Sequence, residues 1–194
     1  IGDESFSIPF TVSEDENPGY YNFTIEVILD QDNYRIEYFD VSVKVEYYAE
    51  FTVEVIEIES FAGPGKTHIF NVDITNNANI EDDITLQITG LPEGWDACIL
   101  VNQLCSSKVS VGKGKTTSFT IEILTNSNEV ANTDTGVFLY LEAVSGLNSK
   151  ESHFDTFTVY TTPVYELVSI VNSVSKDGTS GDIIPFQVTI TNIG

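Results

Sequence analysis

Two cysteines, two histidines and a few short carboxylate runs are the groups in this 194-residue sequence whose types and spacing could do chemistry. Cys98 and Cys105 bracket Ile-Leu-Val-Asn-Gln-Leu. That interval suits a tight hairpin with the two sulfurs opposed, and a disulfide is expected. Closing so short a loop stabilises by about 2–3 kcal/mol in the chain-entropy view. The other reading is a pair of buried free thiols. A metal pair is disfavoured, because the chain has no further cysteine and the spacing is not that of a zinc knuckle. Paired cysteines in such a chain point to an oxidising compartment. His68 and His153 fall on different predicted strands. Zinc would need both of them with a carboxylate; the plainer reading is two ordinary strand histidines. No nucleophile stands beside a base, so no catalytic residue is assigned and the chain is not expected to be an enzyme.

The carboxylates raise the question of calcium. Asp30-Gln31-Asp32-Asn33 begins like a calcium loop but lacks the glycine and the terminal glutamate of an EF-hand. It lies in a hairpin turn, where Asp and Asn are favoured for backbone reasons alone. Asp30 and Asp32, and Glu46 and Glu50 at a module junction, are calcium candidates only if the ion's about six to eight oxygens converge there. No other cofactor is expected. Glu14-Asp15-Glu16 and Glu81-Asp82-Asp83 read as solvated loop charge. Asn22-Phe23-Thr24 is a glycosylation sequon, with Asn22 on the polar side of its strand, and it serves only if the protein is exported. Trp95, the single tryptophan, either packs on the edge of the fold or stacks a sugar ring.

These groups are carried by an alternating framework. The stretch His68–Asn76 returns as Ile184–Asn192: Phe70 matches Phe186, Val72 matches Val188, Ile74 matches Ile190, and both end in Ile-Thr-Asn. The spacing is 186 − 70 = 116 residues, the mark of a tandem array. Tyr21, Phe23, Ile25, Val27 and Leu29 alternate with polar residues. After a short Asp/Asn turn, Phe39, Val41, Val43 and Val45 do the same, which predicts a hairpin. Phe51–Ile58, Ile84–Ile88 and Phe119–Ile123 are further strands, and Ala97–Ser107 is a short hairpin. Val137–Val144 is almost wholly apolar and is read as a central strand covered on both sides. Gly19 and Gly136 each open a strand–turn–strand, 117 residues apart (136 − 19). No helical period persists. Many short strands with frequent turns indicate a β-sandwich.

The net charge of −22 and pI near 4.1 exclude nucleic acid and anionic lipid as natural partners. No run is long and apolar enough for a membrane span, so membrane attachment would come only through segments outside this chain. The joins, Glu46–Glu50 and Thr161–Glu166, lack the Gly and Ser of a flexible linker and are expected to be stiff.

The Ile-Thr-Asn strand endings, the Leu-Pro-Glu-Gly-Trp turn at Leu91–Trp95 and the Gly-Lys-Gly-Lys-Thr turn at Gly112–Thr116 resemble Ig-like repeats of archaeal and bacterial surface proteins. The families are the CARDB-type domain and the Ig-like domain found beside α-galactosidases. The resemblance implies an Ig-like sandwich, brings no catalytic residues, and does not account for the two cysteines.

The expected architecture is therefore all-β, in tandem Ig-like β-sandwich modules, one complete and two partial. Residues 1–47 form the closing half of one module, 48–162 a complete module and 163–194 the opening half of another. The partial ends fit either a window cut from a longer array or modules shared between chains. The expected role is a structural repeat segment of an extracellular, cell-surface protein (S-layer, sheath, stalk or filament) that self-associates. The alternatives are a carbohydrate- or cell-wall-binding module of a secreted enzyme, with a glycan partner, and a calcium-stiffened adhesin.

Overall fold

The computed structural model describes residues 5–29 and 35–193, and among them it is entirely strand, turn and loop. In chain order the strands are β1 (Gly19–Leu29), β2 (Arg35–Val45), β3 (Phe51–Val55), β4 (Glu59–Ala62), β5 (Thr67–Asn76), β6 (Asp82–Thr89) and β7 (Asp96–Val101). They continue as β8 (Leu104–Cys105), β9 (Lys108–Val111), β10 (Thr116–Leu124), β11 (Asn132–Val144), β12 (Ser152–Thr161), β13 (Leu167–Val171) and β14 (Val188–Asn192). The period of two in the sequence dictates this result, because alternate side chains leave a strand on opposite faces.

The middle of the chain is a sandwich of two sheets, ordered β3-β5-β10-β7-β8 and β4-β12-β11-β6-β9. Strands β3, β5, β10 and β7 take the A, B, E and D places of an immunoglobulin domain; β6, β11 and β12 take C, F and G. All the pairs are antiparallel except β4 with β12. The inner faces interdigitate as one core. Phe70, Val72, Ile74, Ile121 and Ile123 from one sheet meet Ile84, Leu86, Leu139, Leu141, Phe157 and Val159 from the other. Phe70 and Phe157 meet at the centre, ring centroids 4.5 Å apart.

Three local expectations are corrected. Phe51–Ile58 is not one strand. The chain leaves the first sheet after Val55 and enters the second at Glu59, so Ile56 and Ile58 sit exposed at the crossover. Alternation continues through such a switch and cannot reveal it. Val137–Val144 is covered on one face only: Leu139, Leu141 and Ala143 are buried, whereas Phe138 and Tyr140 face outward. The third concerns Gly19 and Gly136. Phe23 pairs Val41 in β1–β2 as Leu139 pairs Phe157 in β11–β12, and both members are shifted by 116 (139 − 23 and 157 − 41). A spacing of 117 would put Asn22 where Leu139 stands, turning every side chain to the wrong face. Gly136 instead belongs to a bulge between Asn132 and Val137, with φ of 62°. A Cβ there would lie 2.4 Å from Thr158 Cγ2.

The strands at the other end pair in the register of β3 and β5. Leu167 pairs Asn192 and Val171 pairs Val188, as Phe51 pairs Asn76 and Val55 pairs Val72, again at 116 (167 − 51 and 192 − 76).

Candidate functional site

Cys98 and Cys105 are joined in a disulfide, with Cα atoms 5.5 Å apart. The hairpin they close turns through Asn102 and Gln103, both at positive φ (52° and 67°). This is the two-residue turn whose twist matches flanking strands. Asn tolerates that conformation; Gln adopts it rarely. The covalent tie therefore holds a turn that Gln103 alone would resist. It also fixes a crossover. Ser106 N donates to Ile99 O in one sheet (2.8 Å), and Leu86 N in the other donates to Ser107 O (2.8 Å). The bond thus sits where the chain passes from the β7–β8 edge to β9, and it is partly open to solvent.

The second built feature is the join after β2. Asn76, the end of the repeated Ile-Thr-Asn, is fully buried. Its Nδ2 donates to Ile80 O (2.9 Å) and Val111 O (2.7 Å), and its Oδ1 accepts from Ala78 N (2.8 Å). These bonds fold the following loop back and aim Asn79 at the join. Asn79 Nδ2 donates to Glu46 O (3.0 Å) and Glu16 O (3.2 Å), and its Oδ1 accepts from Tyr48 N (3.1 Å). Tyr48 OH donates to Asn77 O (3.0 Å), and Asn77 N donates to Glu50 O (2.8 Å). Lys113 Nζ bonds Asp15 O and reaches Asn17 Oδ1 (3.0 Å). Tyr21 OH donates to Glu16 Oε1 (2.6 Å) and Asn17 O (2.9 Å), and the bond to Glu16 pushes the phenol pKa up. The backbone of the join is thus bonded to the module that follows it.

The remaining candidates separate. Asp30 and Asp32 lie outside the described residues. Glu46 pairs with Lys44 (2.5 Å), and Glu50 is exposed. No group of three or more His, Cys, Asp or Glu among the described residues is arranged to hold a metal ion. Asn22 is exposed on β1, opposite Ser42. His68 is buried on the inner face of β5, its Nδ1 3.1 Å from Ser60 Oγ and its Nε2 without a partner. Burial lowers its pKa, and the contact with Ser60 opposes that in part. His153 lies edge-on to Phe51 (4.7 Å) and 3.5 Å from Glu151. The two histidines share no partner in these contacts. Trp95 is buried, its Nε1 donating to Glu129 Oε2 (2.8 Å), so it packs on the fold and offers no open ring for a sugar.

Asp82 corrects the reading of Glu81-Asp82-Asp83 as solvated charge. It is buried, accepting from Ser145 Oγ (2.5 Å), Gly146 N (2.9 Å) and Leu147 N (3.2 Å). It anchors the turn between β11 and β12. Asn79 and Asp82 are the residues that sequence reasoning missed. The only signal was the Ile-Thr-Asn motif itself, which marks where the loop starts.

No known protein family's profile matches the chain, and no curated protein matches it. Similar solved structures include a family 123 glycoside hydrolase from Clostridium perfringens (TM-score 0.47, 10% identity), where 60% of this chain aligns with 27% of that one. A FixG-related protein from Vibrio parahaemolyticus (TM-score 0.40, 8% identity) aligns over 57% of this chain and 95% of its own. The periplasmic chaperone SfaE (TM-score 0.37, 13% identity) aligns over 58% of each. The chain thus spans about a quarter of the first of these. The fold assignment stands on the strand order itself.

Proposed function

We propose that this chain is a structural segment of an exported cell-surface protein (surface layer, sheath, stalk or filament), built from Ig-like modules and acting through stacking and self-association rather than catalysis. The observation that carries this reading is the bonded join. Asn79 ties Glu46 O, Tyr48 N and Glu16 O to the middle module, which sets consecutive modules at a fixed angle where a hinge would leave them free. The identical strand register at 116-residue intervals supplies the repeated unit. The disulfide suits an oxidising exterior, and the charge of −22 keeps a crowded acidic surface soluble.

Two measurements test it. Negative-stain electron microscopy at rising concentration is expected to show end-to-end or lateral assemblies; a lone monomer at every concentration overturns the role. Asn79→Ala removes about 1 kcal/mol of junction bonding and is expected to speed proteolysis within Glu46–Glu50 about fivefold. Unchanged cleavage would mean that the join is not held by Asn79.

A further inference from the structure

The outer face of the β4-β12-β11-β6-β9 sheet carries aromatic side chains across three adjacent strands. Phe138 and Tyr140 stand on β11, Phe154 and Tyr160 on β12, and Phe61 on β4. They are not incidental lone rings: Phe138 is 61% exposed, Phe154 64%, Phe61 58% and Tyr140 45%. The pairing interleaves them with polar groups. Phe138 faces Thr158, Tyr140 lies between Thr156 and Thr89, and Phe154 faces Glu142, which faces Gln87 in turn. Tyr160 pairs Phe61, and their rings stack 4.5 Å apart and 7° from parallel. Tyr160 OH donates to Glu59 Oε1 at 3.4 Å. The β11 bulge at Gly136 lets the backbone approach Tyr160, whose Cε1 lies 2.8 Å from where a Cβ would stand.

The fold does not demand the rings of Phe138, Tyr140 and Tyr160. In the first hairpin, at the same register, Asn22 takes the place of Phe138, Thr24 that of Tyr140, Ser42 that of Thr158 and Lys44 that of Tyr160, while Tyr38 keeps an aromatic in the place of Phe154. A contiguous apolar group that the framework can do without, and that water must cover, marks an interaction surface.

Size and charge narrow the occupant. Eight residues of β11 at about 3.3 Å each, across three strands about 4.8 Å apart, give roughly 380 Å². A stable protein partner needs about 800 Å² on each side. The patch is too small for a second copy to be held by it alone, and the charge of −22 repels nucleic acid and anionic lipid. A neutral glycan has no charge to be repelled. Its C–H faces can lie on the negative faces of aromatic rings. Its hydroxyls can exchange hydrogen bonds with the hydroxyls of Thr89, Tyr140 and Thr156, the amide of Gln87 and the carboxylates of Glu59 and Glu142.

The geometry points to this outer face as a binding platform for a neutral polysaccharide, with Phe61, Phe138, Tyr140, Phe154 and Tyr160 as its floor. The rings lie along an exposed sheet face, so it takes the interior of an extended sugar chain rather than a chain end. It is independent of whether the modules assemble.

Affinity electrophoresis of the full chain in gels holding laminarin, xyloglucan, galactomannan or dextran tests this. At least one polysaccharide is expected to retard the protein. The double substitution Phe138→Asn and Tyr140→Thr installs residues that the first hairpin already carries, and it is expected to weaken retardation by about tenfold with the thermal midpoint unchanged. Ile69→Thr, on the opposite sheet, is expected to leave it unaltered. Absence of retardation by all four polysaccharides overturns the proposal. So does retardation that the double variant retains. Concentration-dependent dimerisation in sedimentation, abolished by the same variant, would also overturn it by making the occupant a second copy.

Discussion

Strands β5 and β14 carry nearly the same residues and meet their first neighbours in the same register, yet they live in different surroundings. Phe70, Val72 and Ile74 are all 0% exposed, whereas Phe186, Val188 and Ile190 are 52%, 54% and 67% exposed. Phe186 even falls outside its strand, because β14 begins at Val188. The difference separates two things that an alternating sequence is often taken to supply together. Pairing and register are local and follow from the pattern and the turn. Burial is not local: it needs β10 alongside and the second sheet across the gap, both contributed by residues far along the chain. The apolar stripe of β14 thus specifies a core face without possessing a core in the described residues.

The largest expected effect tests that contrast directly. Phe70→Ala opens a cavity at the Phe70–Phe157 contact and is expected to cost about 3–5 kcal/mol in urea unfolding. Phe186→Ala, the same change 116 residues on (186 − 70), is expected to cost within about 0.5 kcal/mol. Comparable losses at both sites would mean that the two regions are equally packed in solution.

The disulfide sharpens the contrast from another side, since neither end region as described has a sheet-to-sheet crossover to hold. Replacing Cys98 and Cys105 together by Ser is expected to cost about 2–3 kcal/mol, from the loop entropy of a seven-residue separation. Chemical denaturation with and without a reducing agent measures it. A change under about 0.5 kcal/mol would show that β7 and β8 hold their crossover without the bond.

The smallest effect concerns His68, which stands where the later copy has Ile184. Its pKa is lowered in the folded protein. Below the ordinary histidine value of 6.5 the unfolded chain therefore binds more protons than the folded one. Stability then falls as pH drops through 6.5 toward the folded value, by at most about 1.4 kcal/mol per pH unit. His68→Ile is expected to flatten this limb below pH 6.5. Parallel pH profiles for the two proteins would show that the imidazole is not protected from protons by the core.

The same division explains what could be read without coordinates. The strands, the β1–β2 hairpin, the repeat and the cysteine hairpin were legible because each depends on residues close in sequence. Asn79, Asp82 and the buried bonds of Asn76 were not. They sit in a stretch that reads as a polar loop, and their partners lie up to 65 residues away. The aromatic platform was hidden for a different reason. Val137–Val144 is apolar on both faces but for Glu142, so periodicity could not say which side water touches, and the cross-strand neighbour of Phe138, Thr158, comes from β12. Gly136 shows a third kind of loss, because a bulge moves the apparent start of a strand by one residue and misaligns an otherwise correct repeat.

The parallel pairing of β4 with β12 has a mechanical meaning. After β3 the chain enters the second sheet by way of β4 and leaves the sandwich by way of β12, and Thr158 N bonds Ile58 O while Thr162 N bonds Ala62 O along that seam (both 2.8 Å). Once β3 has been drawn from β5, tension on the two ends would drag β4 and β12 lengthwise past each other, so the seam's hydrogen bonds would bear the load at once instead of unzipping one after another.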